Sequence, residues 1–160
     1  MDANARAALI EQYRAGPEEV RAALADARDG ELDARPAPGA WTAREIAHHL
    51  ADSETTSTIR LRRLLAEDEP VIVGYDQDEF ARRLHYDRPV ELSLAVLGAV
   101  RASNAELLAE LDDDEWARTG THTEDGAYGV EQWLEVYAVH AHDHAAQIRD
   151  ALEAARTLAP

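Results

Sequence analysis

The chain has 160 residues, 32 acidic and 16 basic, for a net charge of −16, and it contains no cysteine. Disulfides, thiolate metal sites and cysteine nucleophiles are thereby excluded, and a field of this sign repels phosphate backbones, so nucleic-acid binding is not expected. With 46% hydrophobic residues the chain can bury a core of its own, and a single domain over residues 1–160 is expected.

The first residues, MDANARAALIEQYR, are already charged and amphipathic, and no uninterrupted apolar run of 18 residues follows. A cytoplasmic protein that does not enter a membrane is therefore expected. Every basic residue is arginine. Residues 3–15 carry Ala7, Leu9, Ile10 and Tyr13 at helical spacing, and Val20, Ala23, Leu24 and Ala27 continue the pattern after Pro17. Pro17 either kinks one helix or separates two. From Gly30 to Ala40 the composition is that of a loop ending in a turn before Trp41.

A second helix begins at Thr42, where Glu45 three residues on completes a capping box. Its inward stripe runs through Ile46, His49 or Leu50, Ser53, Ser57, Arg60 or Leu61, and Leu64. His48 shares its side with Arg44, Asp52 and Thr55 and reads as solvated. Ser53 and Ser57 stand where a packed core calls for aliphatics: either they line a wet pocket or they bond back to carbonyls of the preceding turn.

Pro70 ends this helix, and residues 68–89 form a long connection that reads as a crossover or a flap. Within it, Asp76 with Glu79 is set to cap a short helix over Phe80 to Leu84, and His85 and Tyr86 read as a loop anchor. A third helix is expected from about Pro89 to Leu111, apolar and without evident chemistry. Asp112 to Glu115 read as a capping cluster before Trp116, and residues 118–129 as a loop in which His122 carries little information. Only Val71 to Val73 has β character, so no sheet is expected. A fourth helix from Val130 to Ala154 completes an all-α four-helix bundle.

The chemistry concentrates in Trp133 to Ile148, WLEVYAVHAHDHAAQI. Val130, Trp133, Tyr137, His140, Ala141, His144 and Ile148 share one face, which places His140 and His144 on the buried stripe. Two histidines four apart on a helix can aim at a common point, a known arrangement for zinc, although such pairs also occur as ordinary core or surface residues. His142 is turned about 200° away from His140 by the helical period and reads as a surface residue.

Residues 37–54, APGAWTAREIAHHLADSE, followed about 90 residues later by HAHDHAAQI at 140–148, resemble the two signature blocks of the DinB/YfiT-like family. That resemblance implies a four-helix bundle in up-down-down-up order with a long crossover between the second and third helices. It also implies frequent dimerisation and a divalent metal held by three side chains, which correspond here to His49, His140 and His144. Mycothiol-dependent isomerases of the family have glutamate where this chain has His140; the all-histidine set is similar to the YfiT-like and bacillithiol-transferase branches.

Three imidazoles leave a coordination position open for a water or a thiol, and imidazole ligation suits zinc or nickel. Ser53 and Gln147, each one turn beyond a histidine, are candidates for orienting a ligand ring or a bound water. No general acid or base stands out, because Glu54 is rotated about 140° from His49. The expected function is a metal-dependent thiol S-transferase or hydrolase acting on a small molecule, with a low-molecular-weight thiol as a further cofactor in the first case. The alternative is a non-catalytic metal-binding or stress-associated protein on the same fold.

Overall fold

The computed structural model describes residues 1–28 and 30–158. The domain expected over 1–160 also takes in Asp29, Ala159 and Pro160, which lie outside the described residues. The elements in order are α1 (Ala3–Leu24), α2 (Ala43–Ala66), β1 (Val71–Ile72), α3 (Gln77–Arg83), α4 (Glu91–Ala109), α5 (Asp113–Trp116), β2 (Thr119–His122), β3 (Gly126–Gly129) and α6 (Val130–Leu158). Four of the helices are long enough to build the bundle.

Local chemistry fixes where they start. Asp2 caps α1, Thr42 and Glu45 close a reciprocal capping box on α2, and Asp112 with Glu115 does the same for α5. Asp76 accepts from the backbone of Asp78 and Glu79, so α3 opens at Gln77, three residues before the Phe80 start read from sequence.

The four long helices pack in a ring in which α1 lies beside α4 and α6, and α2 beside the same two. Sequence neighbours α1 and α2 are therefore diagonal. Side-chain pairs give the directions: Arg6 with Glu131, His142 with the Gln12 carbonyl and Arg149 with Glu19 make α1 and α6 parallel. His48 with Ser93 and Glu54 with Arg101 make α2 and α4 parallel, while Trp133 with the Ser57 carbonyl sets α6 against α2. The order is up-down-down-up.

Two apolar clusters fill the bundle. One, at the end where α6 begins, holds Ile10, Leu61, Leu64, Leu108, Trp116 and Trp133; the other holds Val20, Ile46, Leu50, Leu97, Ala145 and Ile148. Between them lies a buried polar layer. Arg101, fully buried, pairs with Glu54 at 2.7 Å and donates to the carbonyl oxygens of Tyr13 and Tyr137 at 2.8 and 2.9 Å. One guanidinium thus joins all four long helices.

Pro17 turns out to lie inside a single helix, α1. A proline has no N–H for the carbonyl four residues earlier, which here is Tyr13, and Arg101 supplies that missing donor. Gly16 leaves the room: a Cβ there would collide with the Arg101 guanidinium and come within 2.7 Å of the Ala141 Cβ.

Two expectations are corrected. Residues 119–129 are not a plain loop: β2 and β3 form a hairpin turned at Gly126, φ 79°, and β1 adds in parallel as a third strand. Strands this short carry too little alternation to be read from sequence. Secondly, α4 is not without chemistry, since Arg101, Asn104 and Ser93 on it are buried. By length and composition alone α4 would pass for a membrane-crossing helix, but its buried polar groups face the bundle.

Candidate metal centre

The centre is built by α2 and α6 running antiparallel. The Thr42 box fixes the start of α2, and His49 follows two turns later on its buried face, 3% exposed. Gly39, at φ 81°, makes the turn that delivers Trp41, whose ring stands edge-on to His49 with centroids 4.6 Å apart. From α6, His140 and His144 meet it, with ring centroids 5.5 and 4.8 Å from His49 and 4.6 Å from each other. One ring nitrogen from each of the three lies within 4.8 Å of the others.

The chemistry of this donor set fits a divalent ion. Burial and the neighbouring imidazoles press the pKa of His49 and of His140 down to about 3, and burial lowers that of His144, so all three rings are neutral near pH 7 with lone pairs available. Nδ1 of His49 and Nδ1 of His140 are buried without a hydrogen-bond partner, a costly arrangement for an interior that has nothing further to hold. His144 Nδ1 donates to Gln147 Oε1 at 2.8 Å, which leaves Nε2 as its unprotonated nitrogen. That Nε2 sits 3.2 Å from Nε2 of His140. Two nitrogens each about 2.05 Å from a tetrahedral ion stand about 3.3 Å apart, close to this spacing, which is also that of a hydrogen bond between the two rings.

Of the two candidates for orienting a ring, Gln147 is hydrogen-bonded to His144. Ser53 is not: it is buried next to the Tyr75 phenol and makes no hydrogen bond to the three histidines. Its partner serine, Ser57, bonds back to the carbonyl and carboxylate of Glu54. Glu54 is 1% exposed and held by Arg101, Tyr13 and Ser57, so it is part of the core layer and is not free to act on a ligand.

Two histidines are corrected. His48 is fully buried: Nε2 donates to the Arg88 carbonyl at 2.9 Å and Nδ1 accepts from Ser93 at 2.8 Å, which pins the crossover to α2. His142 is half-buried and donates to the Gln12 carbonyl at 2.8 Å across the α1–α6 seam. Both partners lie far along the chain, so a helical wheel cannot see them. Tyr86 does anchor the crossover, through Asp52 at 2.8 Å, with His85 exposed beside it.

Of the three histidines, His144 lines a cavity of about 240 Å³, together with Gly39, Ala40, Trp41, Gln77, Asp78 and Gln147. Asp78 is the carboxylate on its wall. A larger cavity of about 550 Å³ lies between α1 and the end of α4, around Ile10, Leu108 and Trp116, and does not touch the histidines. Sequence reading missed Arg101 in the buried polar layer and Asp78 on the cavity wall. For Arg101 the available signal was an arginine in an apolar helix with no acid three or four residues away.

The family model for the DinB superfamily matches residues 12–148. A candidate metal-dependent hydrolase of Oceanobacillus iheyensis is 34% identical over 132 residues, 82% of this chain and 77% of that relative. One of Bacillus cereus is 30% identical over 139 residues, 87% of this chain and 80% of the relative. Among solved structures, YfiT of Bacillus subtilis, described as a candidate metal-dependent hydrolase with an unusual four-helix bundle topology, superposes with a TM-score of 0.89. It is 28% identical and the match covers 99% of this chain and 90% of that one. The four-helix bundle protein TT2238 matches at a TM-score of 0.64 and 26% identity, over 90% of this chain and 98% of its own.

Proposed function

We propose that this chain, which belongs to the DinB superfamily, is a metal-dependent hydrolase whose ion is held by His49, His140 and His144. The observation that carries the reading is the convergence of three neutral imidazoles, one ring nitrogen of each lying within 4.8 Å of the others. The names of the relatives point the same way. A divalent ion bound there supplies Lewis acidity, polarising a substrate oxygen and making a nucleophile available from water near pH 7.

The protein's own residues do the rest. Gln147 holds the His144 ring, and Trp41 packs against His49, so neither ring needs to reorient when a ligand binds. Asp78 is the carboxylate that shares a cavity wall with His144, which makes it the candidate base for a substitution to test. Thiol S-transfer, with a low-molecular-weight thiol in place of water, would use the same three histidines and the same cavity. Zinc and nickel both suit the imidazole set.

The test is elemental analysis of the purified protein beside His49→Ala, His140→Ala, His144→Ala and, as control, His142→Ala. About one divalent ion in wild type and control, lost from the other three, is expected. Chelator-sensitive cleavage of activated esters against thiol conjugation then separates the two reactions. Absence of metal from reconstituted wild type refutes both.

A further inference from the structure

The inward side of α2 carries a second polar group that the metal centre does not use. Arg60 lies three turns after His49, and helical side chains lean toward the N-terminus, so its guanidinium reaches back toward the histidine end. Its Nη1 donates to the Tyr137 hydroxyl at 3.3 Å, and the Tyr137 ring stands edge-on to His140 with centroids 5.8 Å apart. Its Nη2 donates to the Val73 carbonyl at 2.9 Å, and the guanidinium lies over the Tyr75 ring at 5.7 Å. Tyr75 in turn sits beside Ser53, one turn from His49. Tyr137 thus touches both the His140 ring and this guanidinium.

What sets Arg60 apart is what it lacks. Its Nε is buried and has no hydrogen-bond partner. In a chain with 32 acidic residues, no described carboxylate pairs with it, and the positions three and four away are Thr56, Ser57, Arg63 and Leu64. Arg62 and Arg88 also bond only to neutral groups, but neither has a buried nitrogen left over. An unpaired, partly buried guanidinium is expensive unless an anion completes it.

We propose that Arg60, with the hydroxyls of Tyr137 and Tyr75, is an anion subsite beside the metal centre that seats the carboxylate or phosphate group of the substrate. This rests on the metal-centre reading above. Guanidinium is the side chain best shaped to hold either group through two parallel hydrogen bonds, and the phenols add neutral donors. The protein's overall charge of −16 repels anionic ligands, so a substrate of this class needs a local cation to dock at all.

Inorganic phosphate and acetate serve as probes, titrated calorimetrically into wild type, Arg60→Gln, Arg60→Lys, Tyr137→Phe and His140→Asn, each metal-loaded and chelator-stripped. Wild type is expected to bind at least one of the two anions in both forms, and preference between them identifies the group the subsite takes. Arg60→Gln should weaken that binding by about 10-fold or more, as loss of a charged hydrogen-bond donor does, while keeping its metal. Stripped His140→Asn should still bind. Arg60→Lys and Tyr137→Phe, expected to lose several-fold each, carry the test if Arg60→Gln does not fold. Binding in Arg60→Gln or Arg60→Lys equal to wild type, binding that disappears on stripping, or no binding of either anion by wild type overturns the subsite. Metal content of the same samples reports separately on the three histidines, so the two readings fail independently.

Discussion

Arg101 donates to the carbonyl oxygen of Tyr13, the acceptor that Pro17 leaves without a backbone partner. A side chain from α4 thus completes the hydrogen bonding of α1, and the same guanidinium neutralises Glu54 on α2.

Arg101→Met should therefore cost more than an ordinary core substitution. It leaves Glu54 buried without its cation and Tyr13 without its donor, a loss of about 3–5 kcal/mol on the scale of broken buried pairs. Pro17→Ala restores a backbone N–H to Tyr13, so it should help the Arg101→Met protein more than it helps wild type. Urea unfolding of the four proteins of this double-mutant cycle measures the coupling; additive effects would show that the two donors do not share an acceptor.

Gln147→Leu removes the acceptor for His144 Nδ1. Metal affinity should fall by about 10- to 100-fold, the usual cost of losing such an orienting group, with little change in metal-free stability because Gln147 is exposed. Competition with a chromophoric chelator gives the affinity.

Asp78→Asn should leave metal content unchanged and lower turnover by about 100-fold or more if the carboxylate takes the proton. A rate equal to wild type on an active substrate would remove Asp78 from the chemistry.

The metal-free protein should lose stability in acid. His49 and His140 have folded pKa values near 3 against an ordinary 6.5, so between these limits the unfolded chain binds more protons than the folded one. Stability is then greatest above pH 6.5 and falls as pH drops toward 3. Melting temperatures of the stripped protein across that window, beside a His49→Phe, His140→Phe variant, test this: the variant's profile should be flatter. Bound metal should shift the loss to lower pH, because protons must then displace it.

Much of this site can be read from the chain alone where it depends on local spacing. The i, i+4 relation of His140 and His144 and the Thr42–Glu45 box need no tertiary information; the stripe that the box starts allows His49 or Leu50, and it is the family resemblance that chooses His49. The four-helix architecture likewise rests on periodicities of single helices. What sequence cannot display is the pairing of groups brought together only by packing. His48 looks solvated until Arg88 and Ser93, 40 and 45 residues away, are folded over it. Arg101 looks like an interruption in an apolar helix until its three partners arrive from three other helices. The hairpin at 119–129 is too short to have a period, and only its pairing with β1 makes it a sheet.

The diagonal placement of α1 and α2 bears on how the protein acquires its shape. Helical bundles usually fold fast because neighbours in space are neighbours in sequence. Here α1 finds its parallel partner in α6, with pairs such as Arg149 and Glu19 separated by 130 residues. Until α6 docks, α1 has lost half its seam and His49 has no companions. The metal centre can form only once α6 has docked against α2, so an ion is expected to slow unfolding and to leave the initial refolding rate unchanged, making metal occupancy a marker of a finished bundle.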